Sequence, residues 1–313
     1  SGGNILAILF LTAVLSLILG MGLPTTANYI VVSALLAPVI VTLGQQNGLI
    51  VPLIAVHLFV FYFGIMADVT PPVGLASFAA AAVSGGDPIR TGLVAFFYSL
   101  RTAALPFLFI FNTELLLIGV TWGQGLFIFV VATVAMLLFA AATQGWFLAR
   151  NRFYETIALL LIAFTLFRPG FWMDMVYPPY SEEAPTEIVQ AAEETPAGER
   201  LRLRVAGVND LGDPLEFVAL LPIGAGETGA EKLEAAGLMF REDGDKMIID
   251  DVLYDSPAQG AGLDWDQEVL RVLKPMPQPS KYWMFIPALL LLALVVFLQR
   301  GRAARDTRKP ATA

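Results

Sequence analysis

Two short stretches rich in glycine, proline and threonine interrupt long apolar runs, and they hold the residues best able to do chemistry. The first is Gly20-Met21-Gly22-Leu23-Pro24-Thr25-Thr26, and the second is Asp68-Val69-Thr70-Pro71-Pro72-Val73-Gly74. Proline lacks an N–H group and clashes with the preceding helical turn, so each stretch leaves carbonyl oxygens without a helical partner. Freed carbonyls, hydroxyls and a carboxylate are oxygen ligands that a hard cation such as sodium could bind.

A single proline break has an ordinary structural explanation, because neighbouring groups usually re-satisfy the freed backbone of a membrane helix. Two breaks in succession favour another interpretation. Discontinuous helices are typical of inverted-repeat transporters, in which half-helix ends point at a site near the bilayer midplane. We therefore predict that the two stretches meet at membrane depth, around an ion and a solute.

The composition indicates a membrane environment for most of the chain. Of 313 residues, 57% are hydrophobic and only 15% are charged, and the mean hydropathy is +0.69. The apolar runs are continuous rather than alternating, which predicts helices rather than a β-barrel. The net charge of −8 argues against nucleic acid as a partner. Since cysteine is absent, neither disulfides nor thiolate metal sites are available.

The pattern predicts an all-α polytopic membrane protein with a small α+β or β-rich soluble domain. Four segments are expected: one inverted-repeat half at 1–120, two additional membrane helices at 121–176, a soluble domain between proline-rich linkers at 177–280, and a last membrane helix with a basic tail at 281–313. Within the first segment we predict a re-entrant hairpin at 5–43, a broken helix at 49–83 and a span at 105–119. The chain opens Ser-Gly-Gly-Asn with no initiator methionine, from which we expect a preceding part.

Basic residues give the predicted orientation. Those after the last apolar run predict a cytoplasmic C-terminus: Arg300, Arg302, Arg305, Arg308 and Lys309. Counting spans backwards puts two more basic pairs on the same side: Arg150 with Arg152, and Arg90 with Arg101. The soluble domain would then lie in the periplasm, and the chain would be a multi-pass protein of the bacterial inner membrane.

The two interruptions resemble one transporter family. Residues 20–27 followed by residues 68–74 are similar to motifs in the second half of the large membrane subunit of TRAP (tripartite ATP-independent periplasmic) transporters. The resemblance covers roughly residues 1–120, and Pro24, the extra spans and the outer domain look more like the fused permeases of the TAXI branch. It implies ion-driven uptake of a small organic anion, usually a carboxylate, delivered by a periplasmic binding protein.

Carried over residue by residue, the resemblance implies one cation site and one wall of a substrate site. The implied cation-site residues are Gly22, Thr25, Thr26, Thr70, Val73 and Gly74. The implied substrate-site residues are Thr26, Asn28, Pro71 and Pro72. Sodium or protons would drive transport, with no other cofactor. The implied partners are the binding protein, membrane lipid and an N-terminal remainder of the same permease.

Asp68 marks a departure from the family. Many dicarboxylate members have an acid at the hairpin tip, where this chain has Pro24. We hypothesise that Asp68 supplies the missing negative charge in the cation site, as an ion ligand or a protonatable group, because an intramembrane carboxylate is expensive to bury. The alternative is that Asp68 caps the second half-helix. We interpret His57 as a hydrogen-bonded structural residue rather than a proton relay, and Glu114 as a snorkelling or helix-contact residue.

The soluble segment resembles a PDZ domain. Strands are predicted at 201–206 and 247–253, and a short helix at 231–236. Asp255-Ser-Pro-Ala-Gln-Gly-Ala-Gly-Leu resembles the PDZ turn and helix, and Gly237-Leu238-Met239-Phe240 is similar to the carboxylate-binding loop. Trp265-Asp266 replaces the usual Gly-Asp before the last strand. The domain would bind an extended partner chain at a sheet edge, or act as a structural cap.

A membrane-anchored PDZ-like scaffold or protease adaptor is the alternative function. The sequence contains no His-Glu-x-x-His motif and no Gly-x-Ser-x-Gly motif. Its single histidine, His57, cannot serve as both metal ligand and catalytic base. We therefore expect that the chain is not an enzyme.

Overall fold

A computed structural model describes residues 5–46, 49, 51–208, 212, 214–244 and 246–306 of the chain. The predicted tail residues Arg308 and Lys309, like the opening Ser-Gly-Gly-Asn, lie outside these ranges. The chain divides into two compact units, one helical and one built on Pro178–Pro277. The second unit also takes in the first residues of the first helix and the last residues of the second.

The helical unit contains most of the apolar segments. The α-helices outside Pro178–Pro277 are α1 (Ile5–Gly20), α2 (Thr25–Gln46), α3 (Leu53–Met66), α4 (Leu75–Ser84), α5 (Pro88–Phe111), α6 (Trp122–Thr143), α7 (Phe153–Phe167), α8 (Pro169–Val176) and α12 (Phe285–Asp306). Among the described residues, α2, α5, α6 and α12 are long and apolar enough to cross a membrane. The pair α7 and α8, bent by 85°, would make a fifth span. This region is therefore formed by apolar helices, several of which are long enough to span a membrane, as predicted.

Two elements differ from their predicted bounds. The second arm of the expected hairpin, α2, has 22 residues and continues to Gln46, so it is long enough to cross the membrane by itself. The span expected at 105–119 is instead the second half of α5, which begins at Pro88 and ends at Phe111. The Asp87 side chain accepts a hydrogen bond from the Arg90 N–H (2.7 Å), and Pro88 fits the first helical position, so the helix begins earlier.

Helices α6, α7 and α12 pack around a shared apolar core. At one end of this bundle lies the Glu155 carboxylate, fully buried. It accepts two hydrogen bonds from the Arg302 guanidinium (2.6 and 2.8 Å) and one from Gln299 Nε2 (3.1 Å). Gln299 Oε1 in turn accepts from the backbone N–H groups of Leu148 (3.0 Å) and Ala149 (3.2 Å). The buried charge is therefore paired, and it joins the α6–α7 loop to α12.

The other end of the bundle is linked to the end of α5. Asn112 Nδ2 donates to the Phe167 carbonyl at the end of α7 (2.7 Å). The Glu114 carboxylate forms an ion pair with Lys281 Nζ (2.7 Å), just before α12. Gln278 Nε2 donates to the Tyr177 carbonyl (2.6 Å), so the chain leaves this unit and returns to it at neighbouring points.

The second unit contains a six-stranded antiparallel sheet. Its strands are β1 (Tyr180–Glu183), β2 (Arg200–Val208), β3 (Pro214–Pro222), β4 (Leu238–Asp243), β5 (Lys246–Val252) and β6 (Glu268–Pro275). Its helices are α9 (Ile188–Glu194), α10 (Gly229–Ala235) and α11 (Pro257–Gly260). The strand order is β3-β2-β6-β5-β4, and β1 also pairs with β6. Alternate residues of β2, such as Leu201 and Leu203, are buried in the core, which confirms the predicted strands.

Candidate functional site

The first interruption separates α1 from α2. Helix α1 ends at Gly20, and Gly22 adopts a positive φ of 82°, a conformation that favours glycine. Helix α2 begins at Thr25, and the Pro24 carbonyl accepts a hydrogen bond from the Asn28 N–H (2.9 Å). The turn therefore breaks the apolar helix at the glycine and proline residues that predicted the break.

The second interruption separates α3 from α4. After Met66 the chain forms a 3-10 turn over Ala67–Val69, and α4 begins at Leu75. The Thr70 hydroxyl donates to the Met66 carbonyl (2.6 Å), and the Thr70 carbonyl accepts from the Gly74 N–H (3.1 Å). The Thr70 hydroxyl, which was predicted to bind a cation, is therefore hydrogen-bonded to a carbonyl that the break itself leaves free.

The two interruptions meet through small residues. A Cβ atom at Gly20 would lie 2.5 Å from Asn28 Nδ2 and 2.8 Å from Ala67 Cβ. A Cβ atom at Gly64 would lie 2.9 Å from the same amide nitrogen. Only glycine fits at these two positions without a shift of its neighbours, and the approach of Gly20 to Ala67 and to the Gly64 carbonyl brings the end of α1 against the end of α3.

Asn28 lies at this contact, on the first turn of α2. Its side chain is 2% exposed, and its Nδ2 donates to the Gly64 carbonyl (2.8 Å). Its Oδ1 is buried and has no hydrogen-bond partner among the described residues. An unsatisfied buried amide oxygen costs about 1–3 kcal/mol. It is the kind of group that requires a ligand, a water or an ion as an explanation.

The other predicted first-break residues lie on the surface of the unit. Gly22, Thr25 and Thr26 are exposed, and within the described ranges neither threonine hydroxyl is hydrogen-bonded. Asp68 is half-buried, and its carboxylate makes no hydrogen bond or ion pair to any described residue. It does not cap α4, because the N-cap position of that helix is Gly74. Asp68 is thus a carboxylate without a cationic partner in the part of the chain described.

The remaining predicted residues line the start of α4. Pro71 and Val73 are half-buried, Pro72 is exposed, and the peptide bond between the two prolines is cis. Gly74 is buried, and its carbonyl accepts a hydrogen bond from the Ser77 hydroxyl (2.8 Å). No hydrogen bond joins this group to the first-break threonines in the described chain, so the structure links the two breaks at Asn28 rather than at the threonines.

Two polar residues in apolar helices have internal partners. His57 Nδ1 and the Tyr29 hydroxyl are 2.9 Å apart, so the histidine joins α3 to α2. Glu114 pairs with Lys281. Both contacts agree with the structural interpretation of these side chains.

The residues that make the helix contact were missed at the sequence level. Gly20, Gly64 and Ala67 are the small residues at which the backbones approach, and Asn28 was assigned to substrate without its Gly64 partner. The available signal was the spacing Gly64-x-x-Ala67, since small residues at helical spacing mark close helix contacts in membranes. No group of three or more His, Asp or Glu side chains able to hold a metal lies in the described ranges.

The chain has the features of a polytopic helical membrane protein with a soluble-type domain. Its interrupted apolar helices meet through small residues, and a bundle of spans and an antiparallel sheet follow them. Residues 1–123 match the family model described as tripartite ATP-independent periplasmic transporter, DctM component. Residues 125–305 match the family model described as domain of unknown function DUF3394. This second match covers more than half of the chain, which therefore belongs to the DUF3394 family.

The two matches meet at the beginning of α6. The predicted resemblance of the first part to the large TRAP subunit is confirmed at the level of that family, which is one of transporters rather than enzymes. No curated protein and no solved structure matches the chain.

Proposed function

We propose that residues 1–123 form the second half of the transport domain of a TRAP permease, and that the contact between the two interruptions forms part of a cation site for uptake of a small organic anion. The observation that carries the proposal is the buried, unpartnered Asn28 Oδ1 where α1 and α3 touch. An amide oxygen at that place can bind a sodium ion as one ligand. Nearby carbonyls at the interrupted helix ends would supply others.

Asp68 completes the proposal as the negative charge of the cation site. It lies in the 3-10 turn that starts next to the Gly20–Ala67 contact. A half-buried carboxylate that has no cationic partner among the described residues can balance a transported sodium ion or take up the coupled proton. Of the predicted substrate-site residues, Thr26 and Pro72 are exposed and Pro71 is half-buried, as residues that contact a delivered carboxylate should be.

The proposed topology has a cytoplasmic C-terminus and a periplasmic sheet domain. Arg302 contacts both Glu155 and the Arg150 carbonyl, so the basic end of α12 and the basic α6–α7 loop lie at the same end of the bundle. This arrangement fits the positive-inside rule for both segments. The linkers to the sheet domain, near Tyr177 and Gln278, belong to the other end.

From the resemblance of Pro24, the extra spans and the additional domain, we also propose that the permease belongs to the TAXI branch. We further propose that the sheet domain is PDZ-like. In support, Gly237 has a positive φ of 84° and immediately precedes β4, which is an edge strand of the sheet. Any side chain at Gly237 would collide with Ser256 at the start of α11. A glycine turn followed by a free edge strand is the arrangement with which strand-adding domains bind extended chains.

The test is uptake of labelled organic acids into proteoliposomes that contain the complete permease and its binding protein, with imposed sodium or proton gradients. Asn28→Ala should raise the sodium concentration for half-maximal uptake roughly tenfold, as loss of one charge-assisted ligand would. Asn112→Ala is the matched control, because that amide also donates to a helix-end carbonyl but lies away from the interruptions.

Asp68→Asn provides a second variant in case Asn28→Ala does not fold. We expect it to alter the ion dependence of uptake while leaving the sheet and bundle intact. Unchanged sodium and proton dependence in both variants would contradict the proposed site. Equal effects of Asn28→Ala and Asn112→Ala would indicate general destabilisation instead.

A further inference from the structure

An apolar groove lies among the helices of the DUF3394 match, at the corner where the chain turns from α7 into α8. It is a groove of about 420 Å³ between α7, α8 and the first turns of α12. Its walls include Leu161, Trp172, Met175, Ala288 and Leu291. The Thr165 hydroxyl, the polar group in this wall, already accepts a hydrogen bond from Trp172 Nε1 (2.9 Å). The groove is therefore chemically an apolar slot with satisfied polar atoms.

The aromatic residues around this corner are typical of a membrane–water boundary. Tryptophan and tyrosine concentrate at that level in membrane proteins, and the groove is close in sequence to Trp172, Tyr177, Tyr282 and Trp283. Helix α8 is bent by 85° from α7. If α7 is the membrane-crossing arm of this bent pair, α8 would lie along the bilayer surface with its exposed Met175 side chain beside the acyl region.

A positively charged side chain, Arg168, lies at the same corner. The Arg168 guanidinium lies over the ring of Phe111 (4.3 Å) and over that of Phe171 (5.4 Å). Asp174 is its acidic neighbour, but in the described part of the chain no carboxylate is hydrogen-bonded to Arg168. An arginine held by aromatic rings at headgroup depth is complementary to a phosphate group.

We propose that this corner binds a phospholipid, with an acyl chain in the groove and its phosphate near Arg168. The bend favours a lipid over a helix of a second copy. Helix α8 crosses the end of the slot, so a helix running along α7 could not continue past it, whereas an acyl chain can end there. The groove volume is within the range of about 300–1,000 Å³ typical of small-ligand pockets.

The test uses the whole chain, purified in mild detergent with phosphatidylglycerol that carries a photoreactive diazirine in its acyl chain. Labelled peptides should come from α7, α8 and α12 in the wild type. Ala288→Trp fills the groove, and Ala293→Trp on an exposed face of the same helix is the matched control. Displacement of about two acyl CH₂ groups from the groove should lower labelling roughly tenfold in Ala288→Trp, whereas Ala293→Trp should label like the wild type.

Two further variants guard against misfolding of Ala288→Trp. Leu161→Trp, at the half-open rim, should also lower labelling, and Arg168→Gln should lower it for phosphatidylglycerol. Equal labelling in Ala288→Trp and Ala293→Trp, or labels spread over all helices, would overturn the proposal. Cross-links between two protein chains through this groove would also overturn it, because a second copy would then be the occupant.

Discussion

At the scale of single residues, the contact between the two interruptions depends on the absence of side chains. A methyl group at Gly20 or at Gly64 would collide with the Asn28 amide nitrogen. The same amide must donate to the Gly64 carbonyl and keep its own oxygen directed into the contact. A small change in backbone separation would therefore alter the proposed ion ligand directly.

We predict that Gly64→Ala separates the helices and destabilises the protein by about 1–3 kcal/mol, the usual cost of overpacking. Gly123→Ala is the control, because its Cβ would meet no atom within 4 Å and alanine is the better helix former. Unfolding in mild detergent measures both changes. Equal stability of the two variants would show that α1, α2 and α3 do not pack this closely.

A second residue-scale prediction concerns pH. The hydrogen bond from Lys274 lowers the pKa of Glu194 in the sheet domain. The ion pair therefore stabilises the domain above the unfolded-state pKa of Glu194, and this contribution is lost as pH falls through the folded-state pKa. Glu194→Gln should weaken the acid dependence of the unfolding midpoint. A steeper acid dependence in Glu194→Gln would contradict the assignment.

At the scale of elements, the sequence predicts where helices stop better than where they turn. The Gly20–Pro24 and Thr70–Pro72 composition was sufficient to locate both breaks, because proline cannot donate to the preceding turn. The direction of α8 was not predictable, although Arg168-Pro169 marks its beginning. The Phe167 carbonyl before this bend accepts a hydrogen bond from Asn112, a tertiary contact that the local sequence does not reveal.

The same limit applies to the candidate site. The threonines and prolines were recognisable as unusual in apolar runs, but the partner of Asn28 is a carbonyl on another helix. The hydrogen bond from Thr70 to Met66 was not predictable either, because the same threonine can donate to a nearby carbonyl or bind a ligand.

The link between α7 and α12 gives an element-scale prediction. Arg302→Gln should destabilise the bundle by about 3 kcal/mol, because it leaves the buried Glu155 carboxylate without its cation. Arg300→Gln, two residues earlier on an exposed face, is the control and should change little. The double variant Glu155→Gln/Arg302→Gln should recover part of the loss. Additive losses would mean that the two side chains act independently.

At the scale of the whole molecule, the absence of cysteine makes the orientation directly measurable. A single cysteine at Glu193, exposed on α9, should react with a membrane-impermeant maleimide on intact spheroplasts. One at Arg300, exposed on α12, should react only after the membrane is opened. The reverse labelling pattern would invert the proposed topology and the assigned periplasmic side.

The hydrogen bond between Gln278 and the Tyr177 carbonyl joins the exit and return of the chain at one place. An insertion whose two ends are adjacent can be exchanged without stretching its host. The segment Pro178–Pro277 could thus be replaced by a short glycine-serine loop, or by an unrelated domain with close termini, while α7 and α12 keep their partners. This attachment would let related proteins acquire or lose the sheet domain with few changes to their apolar helices.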